Sequence, residues 1–200
     1  MNKVIEGKKI LEKQVSALWG LSQEEMEMLD GVFENVKLRL EKCFSHIKNK
    51  YYNAQDGVIF SPYHNCQYSF LLYFYSNELF KEYGDNDLSS KIYCTLKMCS
   101  AMDLFYQIEM PEVFLFDHPV GTVLGRACYR NNFLFMQNCT VGNNRGIYPN
   151  IGENVIMMSG AKILGNCNIG NNVILSANCY VLDTDIPDNS IVYGGVIREN

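Results

Sequence analysis

The second half of the chain repeats large apolar residues at intervals of six, a period that neither ordinary strands nor helices produce. Counted from Ile151, the repeat positions are Ile151, Met157, Ile163, Ile169, Leu175, Val181 and Pro187. The positions four residues later are mostly small or β-branched: Val155, Ala161, Cys167, Val173, Cys179, Asp185 and Ile191. Gly and Asn lie between them and tolerate tight corners. The pattern predicts a left-handed parallel β-helix, in which three hexapeptides form one triangular coil around the apolar positions.

The same phase extends upstream with one interruption. The earlier positions six residues apart are Val123, Tyr129, Phe135 and Val141. Ile151 then follows Val141 after ten residues instead of six, and the four extra residues fall within 143–150 (NNRGIYPN). Because a solenoid accepts insertions only at its corners, we predict a loop there, and such loops often carry function.

The first half shows helical spacing and no repeat. The predicted helices are Val4–Leu18, one from the N-cap Ser22 to about residue 48, Gln67–Tyr83 and Asp87–Met102, with a loop over 51–62. Glu25 lies three residues after Ser22, which predicts a capping box, and Gly84 is a typical residue after a helix end. We therefore expect an α+β protein with a helical domain over residues 1–102 and a β-helix over residues 103–200.

Composition narrows the choice of partners and compartment. The 200 residues carry a net charge of −5 without a basic stripe, which argues against nucleic acid or an anionic membrane as a partner. No apolar run approaches the roughly 20 residues of a membrane span, and the N-terminus lacks a signal-peptide core. The eight cysteines include no C-x-x-C pair. Free thiols in a reducing cytoplasm are therefore expected.

The histidines limit the chemistry of the β-helix. The chain has three, His46, His64 and His118, and only His118 lies in the repeat region. Solenoids of this kind resemble coenzyme-A-dependent or acyl-carrier-dependent acyltransferases, γ-class carbonic anhydrases or purely structural modules. Because a carbonic anhydrase of that class needs three histidines on zinc, no metal is expected here.

His118 is the candidate catalytic base. Acyl transfer from a thioester to a hydroxyl requires a base near neutral pH and a carboxylate that orients its ring. Asp117 is adjacent, and Asp103 lies fifteen residues earlier, just short of one 18-residue coil. We expect Asp103 one coil away, within reach of the imidazole. The alternative is a histidine with a structural role.

Three segments resemble the serine O-acetyltransferase family: LFDHPVGTVLGRA (115–127), QNCTVG (137–142) and SGAKILGN (159–166). That family has a D-H-x-x-G-x-V-x-G motif, an aspartate fifteen residues before the catalytic histidine, and a helical domain before its solenoid. The resemblance covers the β-helix well and the helical half only in outline.

The resemblance implies a role for each matching position. His118 is the general base, Asp103 orients its ring, and Asp117 faces the amino group of L-serine. The positions implied to contact acetyl-CoA or the oxyanion are Asn143, Ser159, Gly160 and Ala177. Transfer would be direct, without an acyl-cysteine, and would serve cysteine biosynthesis. A homotrimer or a dimer of trimers is also implied, with acetyl-CoA between subunits.

Several positions depart from the family pattern. The loop ends Ile147-Tyr148-Pro149 where the family has Arg-His-Pro, so Arg145 and Tyr148 are the candidate acceptor contacts. The nearest match to the family's acidic segment in the helical half is Cys66-Gln67-Tyr68-Ser69, so the acid is missing here or its role passes to His64 or Gln67.

These departures leave alternatives open. Another acceptor, such as a sugar of a surface polysaccharide, remains a second hypothesis, and a non-catalytic scaffold is a third. The family's C-terminal tail, whose last isoleucine docks into cysteine synthase, has no counterpart after the last coil, so that partner is not expected.

Overall fold

The computed structural model describes residues 2–55, 57–194 and 196–199, the last four as backbone only. They form two compact units, Met1–Ser100 and Ala101–Asn200, so the division lies two residues before the predicted boundary. The predicted fold class, a helical N-terminal part followed by a parallel β-helix, is confirmed. In the described part of the chain, no helix is both long and apolar enough to cross a membrane.

Four helices make up the first unit: α1 (Asn2–Trp19), α2 (Gln23–His46), α3 (Asn65–Tyr83) and α4 (Asp87–Ser100). The capping box is present, because the Ser22 hydroxyl accepts the Glu25 N–H and the Glu25 carboxylate accepts the Ser22 N–H. The predicted loop between α2 and α3 contains a short antiparallel pair, β1 (Asn53–Ala54) and β2 (Gly57–Val58).

Helix α3 lies at the centre of this unit. Every residue from Cys66 to Leu79 is buried, which agrees with the strongly apolar character of this predicted helix, and the buried set includes the polar Gln67, Ser69, Ser76, Asn77 and Glu78. Phe70 meets Phe44 of α2 edge to face, with the ring centroids 5.2 Å apart. The guanidinium of Arg39 lies over the ring of Phe74, so a cation–π contact stabilises its charge in addition to hydrogen bonds.

Three parallel sheets form the faces of the β-helix. The first face consists of β3 (Asp103–Leu104), β5 (Val123–Leu124), β8 (Thr140–Gly142), β11 (Lys162–Leu164) and β14 (Tyr180–Leu182). The second consists of β6 (Cys128–Tyr129), β9 (Asn150–Ile151) and β12 (Asn168–Ile169). The third consists of β4 (Phe114–Phe116), β7 (Phe133–Phe135), β10 (Ile156–Met157), β13 (Ile174–Leu175) and β15 (Ser190–Tyr193), with β16 (Val196–Glu199) added antiparallel.

The predicted inward positions are confirmed between Ile151 and Val181. All six apolar members are buried, as are the residues four positions later up to Cys179. Ile163 pairs with Val181, one 18-residue coil later.

The phase prediction is wrong at both ends of the repeat. Val123 is 43% exposed and its neighbour Leu124 faces the core instead, because Leu124 pairs with Val141 only 17 residues on. The last coil is also one residue short, so Ile186 is buried and the predicted Pro187 is exposed. The predicted inward positions Asp185 and Ile191 shift outward for the same reason, whereas Ser190 is buried.

Asparagines build the corner between the second and third faces. Asn132, Asn154, Asn172 and Asn189 all have φ between 56° and 63°. Each side-chain amide donates to the amide oxygen of the next, at 2.8–2.9 Å. Because asparagine tolerates the left-handed conformation, this ladder satisfies the turn and links neighbouring coils.

The predicted loop insertion is confirmed. Tyr129 pairs with Ile151, 22 residues later, so this coil is four residues longer than the next. Asn144 and Ile147 bridge each other across Arg145 and Gly146, whose φ values are 51° and 82°. Positive φ at both central residues identifies a type I′ turn. The expectation that the family's C-terminal tail has no counterpart concerns the segment after the last coil. Two residues of that segment, Gly195 and Asn200, lie outside the described residues.

Candidate active site

His118 occupies the corner between β4 and β5, where the chain passes from the third face to the first; residues 117–122 are called the histidine corner below. The Asp117 N–H donates to the carbonyl of Phe135 in the next coil, at 3.0 Å. The Gly121 N–H donates to the carbonyl of Ala101 in the preceding coil, at 2.9 Å. Hydrogen bonds to coils on both sides therefore fix the backbone that presents the imidazole.

The conformation of His118 itself is unusual. Its φ is +48°, and its side chain is 83% exposed. Left-handed backbone is uncommon outside glycine and costs about 1–2 kcal/mol, and such outliers cluster at functional sites. The ring is thus held out from the edge of the β-helix instead of being packed as a structural histidine.

Gly121 makes the close stacking of the histidine corner feasible. Its φ is +74°, and a Cβ at this position would overlap the Asn138 side-chain oxygen of the next coil. Both the backbone conformation and the space therefore require glycine three residues after His118.

Two carboxylates accompany the histidine in different ways. Asp117 Oδ1 lies 3.6 Å from His118 Nε2, but with 55% of its side chain exposed it forms at most a weak surface pair. Asp103 is the first residue of β3 and pairs with Val123, and its N–H donates to the Thr122 carbonyl at 2.8 Å. Asp103 and the histidine corner therefore lie in adjacent coils at the same edge of the first face.

The positions implied to contact acetyl-CoA continue along this same edge. The Asn178 N–H donates to the Ser159 carbonyl and the Gly160 N–H donates to the Gln137 carbonyl, both at 2.9 Å. Ser159 and Gly160 are thus two coils beyond His118, and Ala177 is three. With about 4.8 Å between coils, the edge from His118 to Ala177 is about 14 Å long.

The candidate residues of the loop lie elsewhere. All first-face strands are parallel, so they begin at the edge that contains the histidine corner and end at the opposite edge. Asn143, Arg145 and Tyr148 follow β8 at that opposite edge and are exposed. Within one chain, the structure brings Asp103, Asp117 and His118 together and separates them from the loop by the width of the first face.

His64 and Gln67 have local partners in the helical unit. The His64 Nδ1 accepts the Gln67 N–H and caps α3. Gln67 is only 1% exposed, and its side chain bonds to the Ser61 N–H and the Tyr51 carbonyl. These contacts account for both side chains as parts of the fold, and their role toward an acceptor stays a prediction.

The buried thiols of the β-helix are poorly placed to act as nucleophiles. Cys139, Cys167 and Cys179 are buried, and burial raises the pKa of the Cys139 and Cys167 thiols. Since the thiolate is the nucleophilic form, this environment opposes covalent catalysis by these two cysteines. Among the described residues, no group of three or more His, Cys, Asp or Glu is arranged to hold a metal ion.

One polar contact near the loop is not among those that the sequence singles out. Asn144 donates its side-chain amide to the carboxylate of Asp183, 39 residues later, at 2.5 Å. The repeat does contain a sign of this contact: Asp183 occupies the corner position one coil after Gly165.

Comparison with known proteins places these features among acetyltransferases. The family model "Bacterial transferase hexapeptide (six repeats)" matches residues 148–183. A serine acetyltransferase of Staphylococcus aureus (strain Mu50 / ATCC 700699) is 41% identical over 83 residues, which cover 39% of this chain and 38% of the relative.

Solved structures extend the likeness to nearly the whole fold. The serine acetyltransferase of Neisseria gonorrhoeae matches 98% of this chain and 77% of its own, with a TM-score of 0.77 and 18% identity. A serine acetyltransferase in complex with CoA matches 99% of this chain and 84% of its own, with a TM-score of 0.75 and 17% identity. The resemblance to serine O-acetyltransferases is confirmed, by sequence over part of the chain and by fold over nearly all of it.

Proposed function

We propose that this chain, a relative of the serine O-acetyltransferases over its β-helix, transfers an acetyl group from acetyl-CoA to an acceptor hydroxyl. The observation that carries the proposal is the exposed imidazole of His118, presented in a left-handed conformation at the edge where Asp103 begins the neighbouring strand. A scaffold module would not require this arrangement.

The proposed mechanism is direct transfer. His118 removes the proton of the acceptor hydroxyl while the oxygen of that hydroxyl attacks the thioester carbonyl carbon. Collapse of the tetrahedral intermediate breaks the C–S bond, and the imidazolium returns the proton to the CoA thiolate. Asp103 orients the ring, and the Asn143 N–H stabilises the oxyanion. No thiol is acylated, in keeping with the raised pKa of Cys139 and Cys167.

The edge of the β-helix that continues from the histidine corner also supplies a surface along which the CoA arm can lie. Ser159, Gly160 and Ala177 follow His118 along one edge over about 14 Å. Ser159 is half-buried and Ala177 is exposed, so their backbone is reachable from outside the coil. An extended thiol carrier lying along this edge would end with its thioester beside His118.

The complete site requires a second copy of the chain. Asn143, Arg145 and Tyr148 lie at the opposite edge of the first face from His118. A homotrimer in which the loop edge of one β-helix meets the histidine corner of the next would unite the two sets of residues. Exposed apolar side chains on the first face, Val123, Tyr180 and Leu182, support such an interface. The helical unit would then join two trimers.

L-Serine is the first candidate acceptor, since Asp117 lies beside His118 to receive an amino group and Arg145 is available for a carboxylate. A sugar hydroxyl is the second candidate. It is favoured by the exposed Ile147 and Tyr148 at the end of the loop, 50% and 43% accessible, because aromatic and aliphatic groups pack against the C–H faces of a sugar.

The acceptor is tested by thiol release from acetyl-CoA with L-serine and with a panel of sugars and amino sugars. The proposal predicts turnover with L-serine that saturates with its concentration. Turnover with a sugar but not with serine would exclude serine while keeping the transfer chemistry. Absence of turnover with every acceptor, in protein shown to be folded and trimeric, would contradict the proposed activity.

A further inference from the structure

The loop over 143–150 is held by a residue from the last coil. Asp183 lies at the corner after β14, with φ +47°, and its carboxylate bonds in two directions. One oxygen accepts the Asn166 N–H at 2.8 Å, and the other accepts the Asn144 side-chain amide at 2.5 Å. The carboxylate thus connects its own coil to a loop residue two coils away.

Gly165 makes this long-range contact feasible. It occupies the intervening coil, where its N–H donates to the Gly142 carbonyl and the Asp183 N–H donates to the Leu164 carbonyl. A Cβ at Gly165 would lie 2.6 Å from the Asn144 Cβ and would overlap the Asp183 carboxylate. Only a residue without a side chain leaves room for Asp183 to reach over it.

The bond acts at the base of the type I′ turn. Asn144 exchanges two backbone hydrogen bonds with Ile147, of 3.1 and 3.0 Å, and the Gly146 N–H donates to the Asn143 side chain at 3.3 Å. Arg145 is at the tip in a left-handed conformation, which costs free energy that the surrounding contacts must offset. The direction of Arg145 therefore depends on how firmly Asn144 is held.

We infer that Asp183 is a positioning residue: through Asn144 it fixes the turn that carries Arg145, and so sets affinity for the acceptor. The role of the loop in acceptor binding rests on the proposed acyl transfer. The contact by which Asp183 holds the loop does not depend on any activity. The hydrogen bonds of Asp183 go to Asn166 and Asn144 and not to the edge of Ser159, Gly160 and Ala177, so the binding of acetyl-CoA along that edge is expected to be unaffected.

The test compares Asp183→Ala and Asn144→Ala with a matched control, Asp185→Ala. Asp185 also accepts a backbone N–H from the previous coil, that of Asn168, but its hydrogen bonds go to Asn168 and not to the loop. The first readout is the rate at which trypsin cuts between Arg145 and Gly146, followed by mass spectrometry of the fragments 1–145 and 146–200. The second is KM and kcat for the acceptor and for acetyl-CoA.

A hydrogen bond to a charged group changes an equilibrium by about tenfold. We expect Asp183→Ala and Asn144→Ala each to raise the cleavage rate and the acceptor KM about tenfold, and the double variant to add little more. The KM for acetyl-CoA should stay within about twofold, as should every value for Asp185→Ala.

Cleavage of Asp183→Ala at the rate of Asp185→Ala would overturn the inference. A raised cleavage rate with an unchanged acceptor KM would equally overturn the positioning role. If the wild-type protein acetylates no acceptor, the proposed function fails separately, and the cleavage rates alone decide whether Asp183 holds the loop.

Discussion

The backbone N–H of Gly121 donates a 2.9 Å hydrogen bond to the carbonyl of Ala101, which joins the histidine corner to the residue two positions before Asp103. Together with the pairing of Asp103 and Val123, this bond sets the register of the first two coils. Because of it, a base and a carboxylate that are fifteen residues apart in the sequence lie at one edge of one face. The geometry follows from backbone pairing and does not depend on how either side chain is turned.

Gly121→Ala should destabilise the β-helix and misplace His118. The new Cβ would meet the Asn138 side chain, and the backbone would be held at a φ unfavourable to alanine. We expect a loss of about 2–3 kcal/mol in the free energy of unfolding, measured by denaturant titration.

Gly194→Ala is the matched control for this change. Gly194 also has positive φ, at +53°, but a Cβ there meets nothing within 4 Å. It should lose only the backbone part, about 1 kcal/mol. Equal losses in the two variants would show that the contact with Asn138 is unimportant.

Alkylation of the native protein should distinguish the cysteines by burial. Cys128 is exposed and should react with iodoacetamide first, whereas Cys139, Cys167 and Cys179 should stay unmodified. The raised pKa of Cys139 and Cys167 slows them further, since only the thiolate reacts. Peptide mass spectrometry over time gives the order, and denatured protein, in which all eight should react, is the control. Early modification of Cys139 would contradict the core packing.

Glu25 should make the helical unit sensitive to acid. Partial burial raises its pKa, but hydrogen bonds from Lys91 and Ser22 outweigh this and hold the pKa below the usual value of 4.5. The folded state therefore binds the proton more weakly than the unfolded chain. The stabilisation is complete above the unfolded pKa and is lost as the pH falls through the folded pKa.

Glu25→Gln removes the charge and tests this dependence. We expect it to lower the free energy of unfolding by about 1 kcal/mol at pH 7 and by progressively less below about pH 4.5. Glu24→Gln, an exposed neighbour in the same helical turn, makes the same change of charge and should have little effect. A loss for Glu25→Gln that does not depend on pH would contradict the ion pair with Lys91.

Much of the fold is predictable because the six-residue period is imposed by the coil itself. Each large apolar residue at a repeat position between Ile151 and Val181 points toward the axis of the coil, so its burial follows from the six-residue period without knowledge of its neighbours. The period cannot reveal a coil that is one residue short, because Val123 and Leu124 are both apolar and fit either phase. Only the pairing of Leu124 with Val141 decides between them.

The candidate site is predictable in part for a different reason. The spacing of Asp103 and His118 identifies one edge of the first face, but it does not show that Arg145 and Tyr148 lie at the other edge. That separation depends on the common direction of the strands. Likewise, the bond between Asn144 and Asp183 spans two coils across Gly165, a relationship that is visible only once the coil register is known.

The central claim, that His118 is the base of an acetyl transfer, is tested most directly by thiol release from acetyl-CoA in a His118→Ala variant. His46→Ala is the control, because His46 ends α2 in the helical unit and the Nδ1 of its ring lies within hydrogen-bond distance of the neighbouring Ser45 hydroxyl and Lys42 carbonyl. With the acceptor that the wild-type protein uses, we predict that His118→Ala lowers kcat by about 10²–10⁴-fold, while His46→Ala keeps the wild-type value. Wild-type turnover by a folded His118→Ala protein would contradict the account.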